Sequence, residues 1–190
     1  MTGYRLRTAV ADTSALVSLA VPGADTAFDT ETNPDPLQYL CTSCDVFVPP
    51  EILTELREIR QYQDIHAVAA SNALTARNHY TVEDPYKYDA TPNSRPTFGL
   101  DDGETDGIVL ANALSADGFL TDEFGGTNFP LIHAVLQGPR IVPTPRLICD
   151  YARNGHMTHK EAKALITMIS SHRSWENSPY VERLLQSLEE

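Results

Sequence analysis

Residues 8–20 read TAVADTSALVSLA. Thr8–Ala11 is a short β-prone run ending at Asp12, and Ala15, Leu16, Leu19 and Ala20 then share one helical face until Pro22 and Gly23 stop the pattern. The unit is strand, acid, helix. It returns at Asp45–Val48, a second β-prone run that Pro49 and Pro50 stop. Ile52, Leu53, Leu56 and Ile59 follow at helical spacing, with Glu51 and Glu55 in the first turns. Further on, Asp101 or Asp102 caps a helix through Ile108, Val109, Ala111 and Leu114, and residues 118–121 form a third strand that runs into Asp122. Ile141 and Val142 make a short fourth strand bounded by Pro139, Pro143 and Pro145. Strands alternating with helices over most of a chain predict an α/β protein.

Between these units the pattern predicts a polar loop over 25–35, a short helix from Pro36 through Leu40, and a helix over 64–76. After the flexible pair Gly125 and Gly126 comes a helix around 131–136. The span 77–98 is rich in Tyr, Pro, Asp and Asn, with Pro85, Pro92 and Pro96, and reads as an excursion outside the core, either a substrate flap or a surface insertion. Thr158 and Glu161 form a capping box for a helix through Ile169. Ser178 and Pro179 open a last helix with Val181, Leu184, Leu185 and Leu188 at i, i+3, i+4, i+7. These two helices are expected to cover the sheet edge or to meet a partner. A chain of 190 residues suits one domain, 1–190, with a core over 6–142, the insertion over 77–98 and a C-terminal helical extension over 143–190.

Hydrophobic residues make up 42% of the chain in runs of only a few residues, too short to span a bilayer. The N-terminus reaches Asp12 before any signal-peptide apolar region forms, so a cytoplasmic location is expected. Cys41 and Cys44 supply half of a four-ligand zinc site, and Cys149 makes a third thiol; all three are expected to be small core residues. Fourteen basic residues against 26 acidic ones leave a net charge of −12, the wrong sign for nonspecific nucleic-acid binding unless metal ions or high salt intervene. The same excess fits a salt-adapted, halophilic cytoplasm, where self-repulsion is screened.

In open parallel sheets, ligands sit outside the carboxyl ends of the strands. That rule selects Asp12 and Asp122 at strand ends, Glu55 one turn into a helix, and Glu104 with Asp106 in the first turns of another. A single acid at such a place usually caps a helix or complements its dipole. Carboxylates crowded together repel one another, so the set makes physical sense around a divalent cation, and oxygen-only ligands favour Mg²⁺ or Mn²⁺ over zinc.

The segments VADTSALVSLA, VFVPPEILTEL, DDGETDGIVLANAL and GFLTDEFGG occur in the order seen in PIN-domain nucleases, and the chain resembles the stand-alone, VapC-like members of that family over residues 6–142. The resemblance implies a three-layer α/β/α sandwich with a central, mostly parallel sheet of four or five strands. It also implies metal-dependent hydrolysis of RNA to 5′-phosphate and 3′-hydroxyl ends. By the same resemblance Asp12, Asp106 and Asp122 are metal ligands, joined by Glu104 as ligand or as neighbour of the ligands. Glu55 is a further ligand or the base that orients a water, and Thr13 and Ser14 hold a metal-bound water or orient Asp12. Where many members place Arg after the last acids, this chain has Phe124, Gly125 and Gly126.

Arg57 and Arg60, just beyond Glu55, are candidate phosphate contacts or solvated surface, and Tyr80, Tyr86 and Tyr88 either stack bases or pack the insertion onto its own domain. No HxxxH spacing, GxGxxG or GxxxxGK[ST] occurs. The expected partners are RNA, an antitoxin-type protein and a second copy of the chain, the last through the apolar stripe of the C-terminal helix. The rival reading is a non-catalytic RNA-binding or protein-interaction module on the same fold.

Overall fold

The computed structural model describes residues 4–28, 33–124 and 126–189. Residues 29–32 of the expected loop, and Gly125 of the expected glycine pair, lie outside them. The strands are β1 (Thr8–Ala11), β2 (Asp45–Val48), β3 (Thr81–Val82), β4 (Gly118–Leu120) and β5 (Arg140–Val142). They form one sheet in the order β3-β2-β1-β4-β5, and every pairing is parallel.

Period-two alternation sorts the side chains of this sheet into two layers. Ala9, Ala11, Val46, Val48, Leu120 and Val142 face one cluster, while Val10, Phe47, Phe119 and Ile141 face the other. Both sides of each central strand are therefore apolar, as a sheet covered by helices on both faces requires. The first layer holds α1 (Thr13–Ala20), α2 (Pro36–Ser43), α3 (Pro50–Ile59) and α4 (Ile65–Thr75). The second holds α5 (Asp102–Ala113) and α6 (Asn128–Val135), with Tyr88, Phe98 and Leu100 packed against them. The chain moves outward from β1 to β3, then crosses back to β4 and continues to β5. With right-handed crossovers that reversal moves the connecting helices to the opposite face, and the two clusters divide in that way. The result is the expected three-layer α/β/α arrangement, with five strands.

Three expectations need correction. Thr81–Val82 lies inside the span read as an excursion, so the insertion proper begins after residue 82. Two residues of edge strand next to prolines carry too little alternation to be read. Second, Pro143 and Pro145 do not merely end a strand. Pro143 precedes the first turn of α7 (Thr144–Arg153) and Pro145 lies within it, where a missing N–H costs nothing. Third, the C-terminal helices are not an extension. Leu147 and Ile148 of α7, Leu165, Ile166 and Ile169 of α8 (His159–Arg173), and Val181 and Leu184 of α9 (Pro179–Gln186) are buried in the first layer's core. The stripe on α9 that suggested a dimer face is thus largely consumed within the chain.

Local signals elsewhere fold as their chemistry dictates. The Thr158–Glu161 capping box opens α8, Ser178 caps α9, and Asp101 caps α5 through the Glu104 amide. Cys149 is buried, and Cys41 and Cys44 are half-buried against the core, all three as free thiols. Among the described residues no helix is long and apolar enough to cross a membrane.

Candidate active site

Because the chain leaves β1 in one direction and β4 in the other, a crevice opens beyond their carboxyl ends, at the switch point of the sheet. Asp12 and Asp122 lie there. The Asp12 N–H donates to the Leu120 carbonyl at 2.9 Å, which ties the two strand ends together. Asp12 also caps α1: its Oδ1 accepts from the Ala15 N–H and from the Ser14 hydroxyl, both at 2.8 Å. Ser14 Oγ in turn accepts from the Asp122 N–H at 2.9 Å, so it orients Asp12 as expected. Asp12 is only 3% exposed. Burial pushes its carboxyl up to about 8, against the Thr121 and Ala15 hydrogen bonds, and the charge of Asp122 adds to the rise.

Glu55, one turn into α3, accepts from the Thr13 hydroxyl and from the Gly103 N–H. Thr13 therefore orients Glu55 rather than Asp12. Burial raises the Glu55 carboxyl. A Cβ at Gly103 would overlap the Glu55 carboxylate and force that side chain to shift. Glu104 is buried on α5, accepts from Asn128 Nδ2 at 3.2 Å, and is pushed up to about 7 by burial and by the nearby charges of Asp101 and Glu123.

Asp12, Glu55 and Glu104 share a cavity of about 200 Å³ with Asp101, Glu123 and Arg173. Sequence reasoning missed the last two. Glu123 follows Asp122 directly, but Arg173 comes from the last turn of α8 and carries no local signal.

Two expected ligands are engaged elsewhere. Asp122 is buried and accepts from the Thr144 N–H at 2.8 Å and its hydroxyl at 3.1 Å, at the first turn of α7. Asp106, 4% exposed, is gripped by Arg95 of the insertion, with Nε on Oδ1 at 2.8 Å and Nη2 on Oδ2 at 2.7 Å. Tyr86 also donates to Asp106 Oδ1, at 2.5 Å. Arg95 further pairs with Asp102 at 2.5 Å and Glu51 at 3.5 Å, fastening the insertion across α3 and α5. Arg57 and Arg60 are exposed and outside the cavity lining, the solvated alternative. The tyrosines pack rather than stack free: Tyr80 is buried with its hydroxyl on the Ala73 carbonyl, and Tyr88 joins the second cluster.

The donor chemistry fits a hard divalent cation. The ligand candidates are all carboxylates, and among the described residues no Lys, Arg or His nitrogen lies within 4.0 Å of Asp12, Glu55, Glu104 or Asp122. Their spacing is looser than a closed coordination set. Among the described residues no three His, Cys, Asp or Glu side chains are grouped to hold an ion. Set against models of protein families, characterised proteins and solved structures, the chain matches none.

Proposed function

We propose that the chain is a Mg²⁺- or Mn²⁺-dependent ribonuclease that hydrolyses RNA phosphodiesters at the switch-point cavity, either as a toxin-type or as an RNA-processing nuclease. One observation supports this above the others. A buried carboxylate with no counter-ion, Asp12, sits at the carboxyl end of a central strand and shares its cavity with Glu55 and Glu104. Burial raises the proton affinity of all three carboxylates, and a cation joining them would favour their ionised forms.

Asp12 and Glu104 would hold that ion, with Glu55 beside it, and when bound it would supply a more acidic water and a polarised phosphate. The chain's own part is orientation and proton transfer. Ser14 and the Ala15 amide fix Asp12, Asn128 fixes Glu104, and Thr13 with the Gly103 amide fixes Glu55. Glu55 has a raised proton affinity and is only half-buried, which suits it to take a proton from an attacking water. No side chain needs to form a covalent bond to the RNA.

The test is incubation of the full chain with single-stranded RNA and Mn²⁺ at high salt. Cleavage leaving 5′-phosphate ends is expected, abolished by chelation and reduced at least about 100-fold by Asp12→Asn. Intact RNA under all these conditions would overturn the reading.

The Arg95–Asp106 pair favours a second reading, a non-catalytic RNA-binding or protein-interaction module with an antitoxin-type or self partner. Equal RNA affinity in the parent and in Asp12→Asn, with no cleavage, is its signature.

A further inference from the structure

Arg173 is the cation among five carboxylates, and it is bonded to none of them. It lines the cavity with Asp12, Glu55, Asp101, Glu104 and Glu123. Among the described residues its guanidinium makes no hydrogen bond, and no carboxylate oxygen lies within 4.0 Å. An arginine presents five N–H donors in a planar fork, and in so acidic a setting a free guanidinium would be expected to swing onto the nearest acid.

The helix end that carries it is fixed by its neighbours. Arg173 ends α8, and the next residue, Ser174, takes the left-handed conformation at φ 58°, so the helix stops there. Trp175 then packs on Phe124 at 5.3 Å between ring centroids, and Phe124 packs on Tyr180 at 5.0 Å, which staples this turn to the segment after Glu123. On the other flank His172 Nε2 lies 3.1 Å from Asp25 Oδ2, and its carbonyl lies 3.1 Å from His66 Nε2. The last turn of α8 is thus tethered on both sides, with the half-exposed Arg173 at the cavity edge and its charge acting on the buried Asp122 without a direct bond.

We propose that Arg173 binds a backbone phosphate of the RNA at this cavity. The inference rests on the ribonuclease reading and adds the residue that lets an acidic chain accept a polyanion. A phosphodiester offers two non-bridging oxygens that match the fork, and it carries the negative charge that cation-bound carboxylates no longer present. Arg173 positions the substrate, while the carboxylates serve the ion.

The experiment uses the full native chain with Ca²⁺ in place of Mn²⁺, which occupies oxygen ligands while RNA persists, and reads the anisotropy of a labelled single-stranded RNA across a salt series. Arg173→Gln is expected to weaken binding about tenfold and to lower the slope of log K against log salt by about 0.7, the loss of one phosphate contact on a single strand. Arg173→Lys, which keeps the charge, is expected to keep the slope and lose less affinity. Calorimetry on the otherwise native chain is expected to show Mn²⁺ bound by Arg173→Gln at least as tightly as by the parent. Unchanged RNA affinity and slope in Arg173→Gln would overturn the assignment alone. Weakened Mn²⁺ binding with unchanged RNA binding would do the same, by showing a purely structural role. A parent chain that binds no RNA would overturn it together with the reading beneath it.

Discussion

Asp12 does two jobs with one carboxylate: Oδ1 caps α1, and the group as a whole faces the cavity. Its ordinary value is 3.8 and burial lifts it to about 8, so between those values the folded chain keeps a proton that the unfolded chain releases. Stability without a metal must therefore fall as pH rises through that window, by at most about 1.4 kcal/mol per pH unit from one group. Glu104, lifted from 4.5 to about 7, acts in the same direction. Thermal unfolding of the metal-free chain is expected to show a lower Tm near pH 8 than near pH 5, with a flatter profile in Asp12→Asn. A Tm that climbs across the window would contradict the burial argument. At Gly103 the cost is steric: Gly103→Ala forces a Cβ into the Glu55 carboxylate and is expected to cost about 1–3 kcal/mol. Denaturant unfolding measures it, and a parental midpoint would mean that Glu55 moves aside freely.

At the scale of elements, local chemistry made much of the chain legible. Asp12 before Ala15, Leu16 and Leu19, and Thr158 with Glu161, are signals contained within one helical turn, and both open helices where expected. Thr158→Ala removes the cap and is expected to cost about 1 kcal/mol in chemical denaturation while leaving Mn²⁺ affinity untouched. A loss of ion affinity would show that α8 positions the cavity more tightly than its cap implies. What stayed hidden lacked a periodic signal. β3 has two residues, and α7 starts among prolines that also punctuate a strand end. The Arg95 clamp on Asp106 joins residues 11 apart by geometry that no pattern announces. For that reason Asp106 read as a ligand although the structure pairs it with the insertion.

At the scale of the whole molecule, the sheet order explains why acids far apart in sequence meet. Reversal at β1 and β4 opens the crevice, and Asp12 at the end of β1 falls into it, while Asp122 at the end of β4 turns to the start of α7. The strand-acid-helix repeats made this much readable, since the fold class needs only alternation and the crevice needs only the ends of β1 and β4. Arg173 was not readable, because its place depends on how α8 packs back onto the core. That packing also predicts an outcome for truncation. A chain ending after Val142 would lose Leu147, Ile148, Leu165, Ile166 and Ile169 from the first layer's core and is expected not to fold, as read by circular dichroism and amide dispersion. A cooperative unfolding transition in the truncated chain would show that these helices are dispensable.

The most direct measurement is a crystal structure grown with Mn²⁺ and recorded with anomalous data. A single manganese peak is expected in the cavity, bonded to Asp12 together with Glu104, and absent in Asp12→Asn. A cavity without manganese at saturating concentration, or a peak that leaves Asp12 untouched, would contradict the central claim that these carboxylates meet to hold a cation.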